Sequence, residues 1–176
     1  MKQKGFSLIE LLVVIAIIGI VSALGYPSFD KYKKKKEVDV GAQKLLQHLR
    51  TVHRKAVSNK WRYQVTVNKV IDRKTKVVTK YQKNSPCTLT PNFKQTEEDK
   101  IELKRVNVTV NGLDRAQEFC QDGKCDSSDT GSSFDGEYKL QHILGQKYGQ
   151  YKITISKATC FIKLEKWVNE KWEETS

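Results

Sequence analysis

Apolar positions along this chain fall into three successive patterns. From Phe6 to Phe29 they are nearly continuous, and Phe6-Ser-Leu-Ile-Glu-Leu-Leu-Val-Val-Ile-Ala-Ile-Ile-Gly-Ile-Val-Ser-Ala-Leu24 carries no charged side chain except Glu10. A helix over Phe6 to Phe29 would be about 36 Å long, enough to cross the hydrocarbon core of a bilayer. The pattern then thins to Val38, Ala42, Leu45, Leu49, Val52 and Ala56, three or four residues apart, which is one stripe on a helix. Lys44, Gln47, Arg50, Arg54, Lys55 and Ser58 fall mainly off that stripe, so the helix is amphipathic and needs a sheet to cover its apolar face. His48 and His53 flank the stripe and are expected at solvent or boundary positions, since no cysteine or serine motif accompanies them.

Beyond Asn59 the period becomes two. Trp61, Tyr63, Val65 and Val67 alternate with Arg62, Gln64, Thr66 and Asn68, which predicts a half-buried strand. Val77 to Tyr81 is expected to return beside it across Asp72-Arg-Lys-Thr-Lys76. Further strands are expected at Ile101 to Val110, with Val106, Val108 and Val110 in phase, at Tyr151 to Ile155 and at Thr159 to Val168. Asn111-Gly112 is a turn signal. The stretch from Asp122 to Gly136 is rich in Asp, Ser and Gly and reads as a loop. Its carboxylates, Asp122, Asp126, Asp129 and Asp135, lack the spacing and the closing glutamate of a calcium loop, which favours a solvated segment. The expected fold class is α+β: a long N-terminal helix, with an apolar half over residues 6–29 and an amphipathic half over 30–59, packed on an antiparallel β-sheet head over 60–176.

Composition narrows the chemistry. The chain has 176 residues, 38% of them hydrophobic, which supports one compact domain of modest core beside the apolar segment. A formal net charge of +12 suits nucleic acid, anionic lipid or an acidic partner. Lys60, Arg62, Lys69, Arg73, Lys74, Lys76, Lys80 and Lys83 all fall within the expected hairpin, interleaved with Trp61, Tyr63 and Tyr81. Such a surface binds phosphates without reading sequence, although a run of lysines also serves simply as a solvated face. Cys87, Cys120, Cys125 and Cys160 all follow the apolar segment, so export to an oxidising compartment allows them to pair in any of three ways. Cys120 and Cys125, with Gly123 between them, favour a small disulfide loop. Their Cys-x4-Cys spacing fits zinc poorly and no histidine lies near, so neither a metal nor any cofactor is expected. No nucleophile, acid–base pair or phosphate loop stands out, and no enzymatic activity is expected.

The N-terminus is the most specific feature. Met1-Lys-Gln-Lys-Gly5 is short and basic. A secretory signal peptide places its small cleavage-site residues after the apolar core, whereas here Gly5 precedes it. A carboxylate such as Glu10 inside an apolar span is costly unless it finds a partner. Lys2 and Lys4 before the run, with Lys31 and Lys33 to Lys36 after it, leave its orientation open by charge alone.

Lys4-Gly5-Phe6-Ser7-Leu8-Ile9-Glu10-Leu11 resembles the class III signal of type IV prepilins and type II secretion pseudopilins. The resemblance implies that a membrane aspartyl peptidase removes residues 1–5 as a prepilin leader by cutting between Gly5 and Phe6, and methylates Phe6. It also implies that the Glu10 carboxylate pairs with the N-terminal amine of a neighbouring subunit, an interaction that in low dielectric rewards one axial register over others. Gly19 and Pro27 fall where pilins carry helix-weakening residues, and their chemistry agrees with a helix bend between them; the alternative is that both are ordinary transmembrane helix residues.

Leu45-Leu-Gln-His-Leu-Arg50-Thr-Val-His-Arg54-Lys-Ala-Val-Ser-Asn59, followed by the strand from Trp61 to Val67, resembles the helix end and first strand of the GspH/FimT minor pilins and pseudopilins. Ser133-Phe134-Asp135-Gly136 is similar to a later Phe-x-x-Gly element of that family. The resemblance implies the pilin fold and a non-enzymatic minor subunit of a type IV pilus or type II secretion pseudopilus. A DNA-binding minor pilin for natural transformation and a major fibre subunit are the alternatives. For the DNA reading the candidate contacts are Lys60, Arg62, Arg73, Lys74 and Lys76. The Gly-Arg-x-Arg-type motif of DNA-binding FimT proteins is absent, and Lys157-Ala-Thr-Cys-Phe-Ile-Lys163 stands in its place. Implied partners are other pilin or pseudopilin subunits, the prepilin peptidase, an inner-membrane assembly platform and the membrane itself, with nucleic acid under the DNA reading. The implied location is the inner membrane, single-pass, with the head in the periplasm or outside.

Overall fold

The computed structural model of the chain describes residues 7–83, 97–110, 116–120, 123, 125–127, 136–156 and 159–175, with the backbone alone at 23–25, 27, 69–71, 97–98 and 125–127. The chain divides into two compact units, Met1–Lys34 and Lys35–Ser176.

Helix α1 covers Leu8–Asn59. The Ser7 carbonyl accepts the N–H groups of Glu10 at 3.1 Å and Leu11 at 3.3 Å, which makes Ser7 the residue that opens the helix. Glu10 is then the third residue inside, the Ser-x-x-Glu spacing of a capping box, and a carboxylate in the first turn is favoured by the helix dipole. The helix continues through Gly19 and Pro27 without interruption. Within the first unit the large apolar side chains from Leu8 to Val21 are exposed. Among the described residues no helix is long and apolar enough to cross a membrane; the described side chains of the apolar run stop at Ser22 and resume at Tyr26.

In the second unit the apolar stripe behaves as its spacing predicts. Val38, Ala42, Leu45, Leu49 and Ala56 are fully buried, with Val52 nearly so, and Leu46 joins them. Each Val or Leu removed from water in this way contributes about 1.5–3 kcal/mol. His48 is also buried, contrary to the solvent or boundary position expected for it, because its Nε2 lies 2.7 Å from Thr79 Oγ1.

Strand β1 (Trp61–Ile71) pairs antiparallel with β2 (Lys74–Lys83) across a two-residue turn, shorter than the five-residue connection expected. Asp72 and Arg73 form that turn with φ of 51° and 60°, the left-handed pair that matches strand twist in tight hairpins. The single strand expected from Ile101 to Val110 is instead two, β3 (Glu97–Lys104) and β4 (Val106–Val110), separated by Arg105 at φ 56°. The break transfers the chain from one sheet to the other. Strands β5 (Gln117–Phe119), β6 (Cys125–Ser127), β7 (Gly136–His142), β8 (Gly145–Ile155), β9 (Ile162–Val168) and β10 (Lys171–Glu174) complete the head.

Two five-stranded antiparallel sheets result, ordered β3-β2-β1-β5-β6 and β10-β9-β8-β7-β4. The helix stripe shares one core with Tyr63, Val65, Leu103 and Phe119 of the first sheet and Val106, Tyr138, Leu140 and Ile153 of the second. At the corner between sheets, Arg105 N–H donates to Arg73 O at 2.7 Å, Ile143 N–H donates to Arg105 O at 3.1 Å, and Thr75 Oγ1 donates to Val106 O at 2.6 Å. Gly41 sits where the helix passes β4. A Cβ there would lie 2.8 Å from Val106 Cγ2, so only glycine permits the observed approach.

Candidate functional site

Three regions carry the sequence-derived candidates: the start of α1, the outward face of the first sheet, and the cysteines. At the helix start, Gly5 and Phe6 lie outside the described residues. Glu10 stands one turn into the helix and is exposed, among exposed Leu8, Ile9, Leu11 and Val14. Among the described residues no side chain of its own unit covers it, and an apolar surface around a lone carboxylate has the composition of a contact region rather than of a solvated face. A Cβ on Gly19 would meet nothing within 4 Å, so this glycine is not required by packing within the chain. The Pro27 side chain is outside the described residues.

On the head, alternation puts Arg62, Gln64, Lys74, Lys76, Val78, Lys80, Lys100, Glu102 and Lys104 on the face of the first sheet turned away from α1, as the β1–β2 and β2–β3 registers require. Arg62 is not available there as a phosphate contact. Its side chain is buried and pairs with the equally buried Glu118 of β5, through Nε to Oε2 at 2.9 Å and a second bond from Nη2 to the same oxygen, while Gln64 donates to Oε1 at 3.3 Å. Lys74 forms an ion pair with Glu102 at 3.0 Å, both half-exposed. That hydrogen bond and charge hold the Glu102 carboxyl below its ordinary range. Arg73 and Lys76 are exposed. Lys60 is exposed too, at φ 54° where α1 ends, but it lies at the far end of β1 from the Asp72-Arg73 turn, roughly 40 Å away at about 3.3 Å per strand residue. Lys100 and Lys104, which the sequence reading passed over, join Lys76 on the outward face. Their two-residue alternation about Glu102 was the signal that would have found them. The side chain of Lys69 lies outside the described residues.

Cys120 and Cys160 are buried and disulfide-bonded. Cys125 stands opposite Phe119 across the β5–β6 pair, and the Gly123 N–H donates to Cys120 O at 3.1 Å in the turn between them. Cys87, the side chain of Cys125, the Asn111-Gly112 turn and most of the Asp122 to Gly136 loop lie outside the described residues.

A fourth set of polar groups binds α1 to the head. Glu37 accepts from Arg105 Nη1 at 3.0 Å and from His142 Nε2 at 3.2 Å. The His142 proton sits on Nε2 because its Nδ1 accepts the Leu144 N–H at 3.1 Å. Tyr151 donates to Asp39 Oδ1 at 2.8 Å. Burial opposes the charge on Asp39, yet hydrogen bonds from Tyr151 and Lys36 hold its carboxyl below the usual range; burial and Asp39 together push the Tyr151 phenol up. Lys44 reaches the Glu102 carbonyl at 3.1 Å on the first sheet.

Comparison with known proteins agrees with this layout. The prokaryotic N-terminal methylation motif matches residues 1–26. Prepilin peptidase-dependent protein D of Escherichia coli K12 is 59% identical over 34 residues, 19% of this chain and 23% of that protein. Type IV major pilin protein PilA of Myxococcus xanthus is 36% identical over 69 residues, 39% of this chain and 31% of that one. The matched stretch thus spans less than a third of either relative. Over the fold, the crystal structure of the Pseudomonas aeruginosa type IV minor pilin FimU aligns with a TM-score of 0.54, covering 81% of this chain and 96% of that one at 11% identity.

Proposed function

Because the chain is a type IV pilin-like protein, we propose that it is a non-enzymatic minor subunit of a type IV pilus or type II secretion pseudopilus, of the GspH/FimT kind. In this reading the leader is cut after Gly5, Phe6 is methylated, and the N-terminal helix holds the subunit in the inner membrane until an assembly platform moves it into the fibre. The observation that carries the reading is the methylation motif over residues 1–26, running into a helix whose exposed apolar surface contains a single carboxylate, Glu10. The name of the Escherichia coli relative, prepilin peptidase-dependent protein D, supports the processing step. Glu10 then meets the freed amine of a neighbouring Phe6, and that pair selects the axial step between subunits. Gly19 and Pro27 supply a bend when the helices pack, and Cys120 pairs with Cys125.

Glu10→Gln tests the assembly role. It keeps the side-chain volume and removes the charge, so processed subunit should accumulate in the membrane while its amount in sheared fibres falls about tenfold or more. Normal incorporation would show the carboxylate to be dispensable. A major-subunit role is distinguished by copy number, since a major subunit dominates the sheared fraction.

The second reading, a DNA-binding minor pilin, is favoured by the exposed Lys76, Lys100 and Lys104 on one outward face and by the exposed Arg73 in the adjoining turn. Duplex DNA should bind the full-length protein in detergent, weaken steeply with salt, and weaken further in Arg73→Gln/Lys76→Gln. Absence of binding at low salt would leave the structural role alone.

A further inference from the structure

Arg50, Thr51 and Arg54 of α1 line one side of a groove of about 880 Å³ in the second unit, and Cys160, Phe161 and Ile162, at the entry to β9, line the other. Among the described residues no aspartate or glutamate lines it. Arg50 Nη2 donates to Ile162 O at 3.5 Å and Arg54 Nη2 to Thr51 Oγ1 at 3.5 Å, both long neutral contacts; neither guanidinium meets a carboxylate among the described residues. Phe161 is 61% exposed, although it adjoins buried Cys160 and Ile162. Its wall is stiff: Cys160 is disulfide-bonded at φ 53°, its N–H donates to Ser156 O at 2.8 Å, and Ser156 N–H donates to Phe161 O at 3.0 Å.

We propose that this groove is a docking site for an acidic peptide segment of a partner protein, with a carboxylate between Arg50 and Arg54 and an apolar side chain against Phe161. The two arginines, four residues apart, lie one above the other on the helix and match carboxylates by paired N–H donors. Arginine beside an exposed aromatic is the composition of interface anchors. Because the wall is already ordered, little freedom is lost when the groove fills. A volume of this size accommodates a few side chains and excludes a duplex. Two cations also hold a nucleic acid weakly, since affinity for a phosphate backbone grows with the number of phosphates neutralised, whereas one carboxylate and one apolar anchor satisfy the whole groove. The site requires neither leader cleavage nor fibre assembly, so it stands or falls separately from the proposed function.

The test uses the full-length chain in a non-ionic detergent micelle and a fluorescein-labelled peptide, Gly-Glu-Leu-Leu-Glu-Gly, with its Gln-for-Glu counterpart as control. Fluorescence anisotropy should show saturable binding that weakens about tenfold with the control peptide, with Arg54→Gln and with Phe161→Ala, and stays unchanged in Lys76→Gln on the other sheet. Matching thermal unfolding of each variant and the parent excludes loss of the fold. Equal binding of both peptides, indifference to both groove substitutions, or no saturable binding overturns the proposal. So does a twelve-residue oligothymidylate that binds with the Arg54 dependence the peptide lacks, which would assign the groove to nucleic acid. Self-association lost in Arg54→Gln without peptide binding would assign it to a second copy.

Discussion

Arg62 and Glu118 illustrate what single residues conceal. Alternation along β1 correctly put Arg62 opposite the apolar face, and charge made it a surface contact candidate, yet it is buried against a carboxylate 56 positions away. Glu118 sits in a three-residue strand with no periodicity to announce it, so nothing local revealed the pair. Its geometry matters because removing one member of a buried pair leaves an uncompensated charge, at a cost of about 3–5 kcal/mol. His48 was misplaced for a similar reason: its Thr79 partner belongs to a strand whose neighbour across α1 is set by tertiary packing. Burial lowers the His48 pKa, Asp99 opposes that shift, and Lys55 and Lys44 add to it. An unfolded histidine binds its proton near pH 6.5, above the folded value, so the unfolded chain takes up protons first as pH falls. Stability is therefore lost below about pH 6.5 and is insensitive to this group above it. His48→Gln, which keeps a donor for Thr79 Oγ1 and cannot titrate, should lose less stability than the parent between pH 7.5 and 5.5 in urea unfolding. Equal losses would remove His48 as the cause.

Among the elements, the helix was the most legible. Its three-and-four spacing named the buried positions. Alternation made β1 and the second half of β8 legible, but not β7, whose seven residues alternate in burial without a run of apolar side chains, nor the three- and four-residue strands β5, β6 and β10. The hairpin turn was placed too broadly because Lys74-Thr75-Lys76 looks polar throughout, while Thr75 is in fact buried and bonded to the Val106 carbonyl. The change of sheet at Arg105 has no glycine or proline to signal it, and its left-handed backbone is held by bonds from both sheets. The Asp72-Arg73 turn carries the same left-handed cost at two residues that have a Cβ. Arg73→Gly should stabilise the head by about 0.5–1 kcal/mol, read as a raised urea midpoint with unchanged slope, since Arg73 is exposed and its side chain is not needed for the turn. A lowered midpoint would mean that the arginine side chain contributes more than its backbone costs.

At the scale of the whole molecule, the core belongs to the unit Lys35–Ser176, while the large apolar side chains described within Met1–Lys34 are exposed. The sequence shows a near-continuous apolar run giving way to a stripe and places that change at residues 29 and 30, whereas the two compact units meet at Lys34 and Lys35. The split of the head into two sheets was not readable from the sequence, because strand order depends on pairings far apart along the chain. A chain with a well-packed head and an uncovered apolar helix is built to be completed by other molecules, and the account rests on the helix being freed at one peptide bond. The most direct test is intact-mass and N-terminal peptide analysis of the protein isolated from its native membrane and fibres, with Gly5→Ala beside it. The account predicts a mature chain beginning at N-methylated Phe6, and a variant that retains Met1 to residue 5. A native chain that keeps its leader, is cut elsewhere, or matures equally well in Gly5→Ala would contradict it.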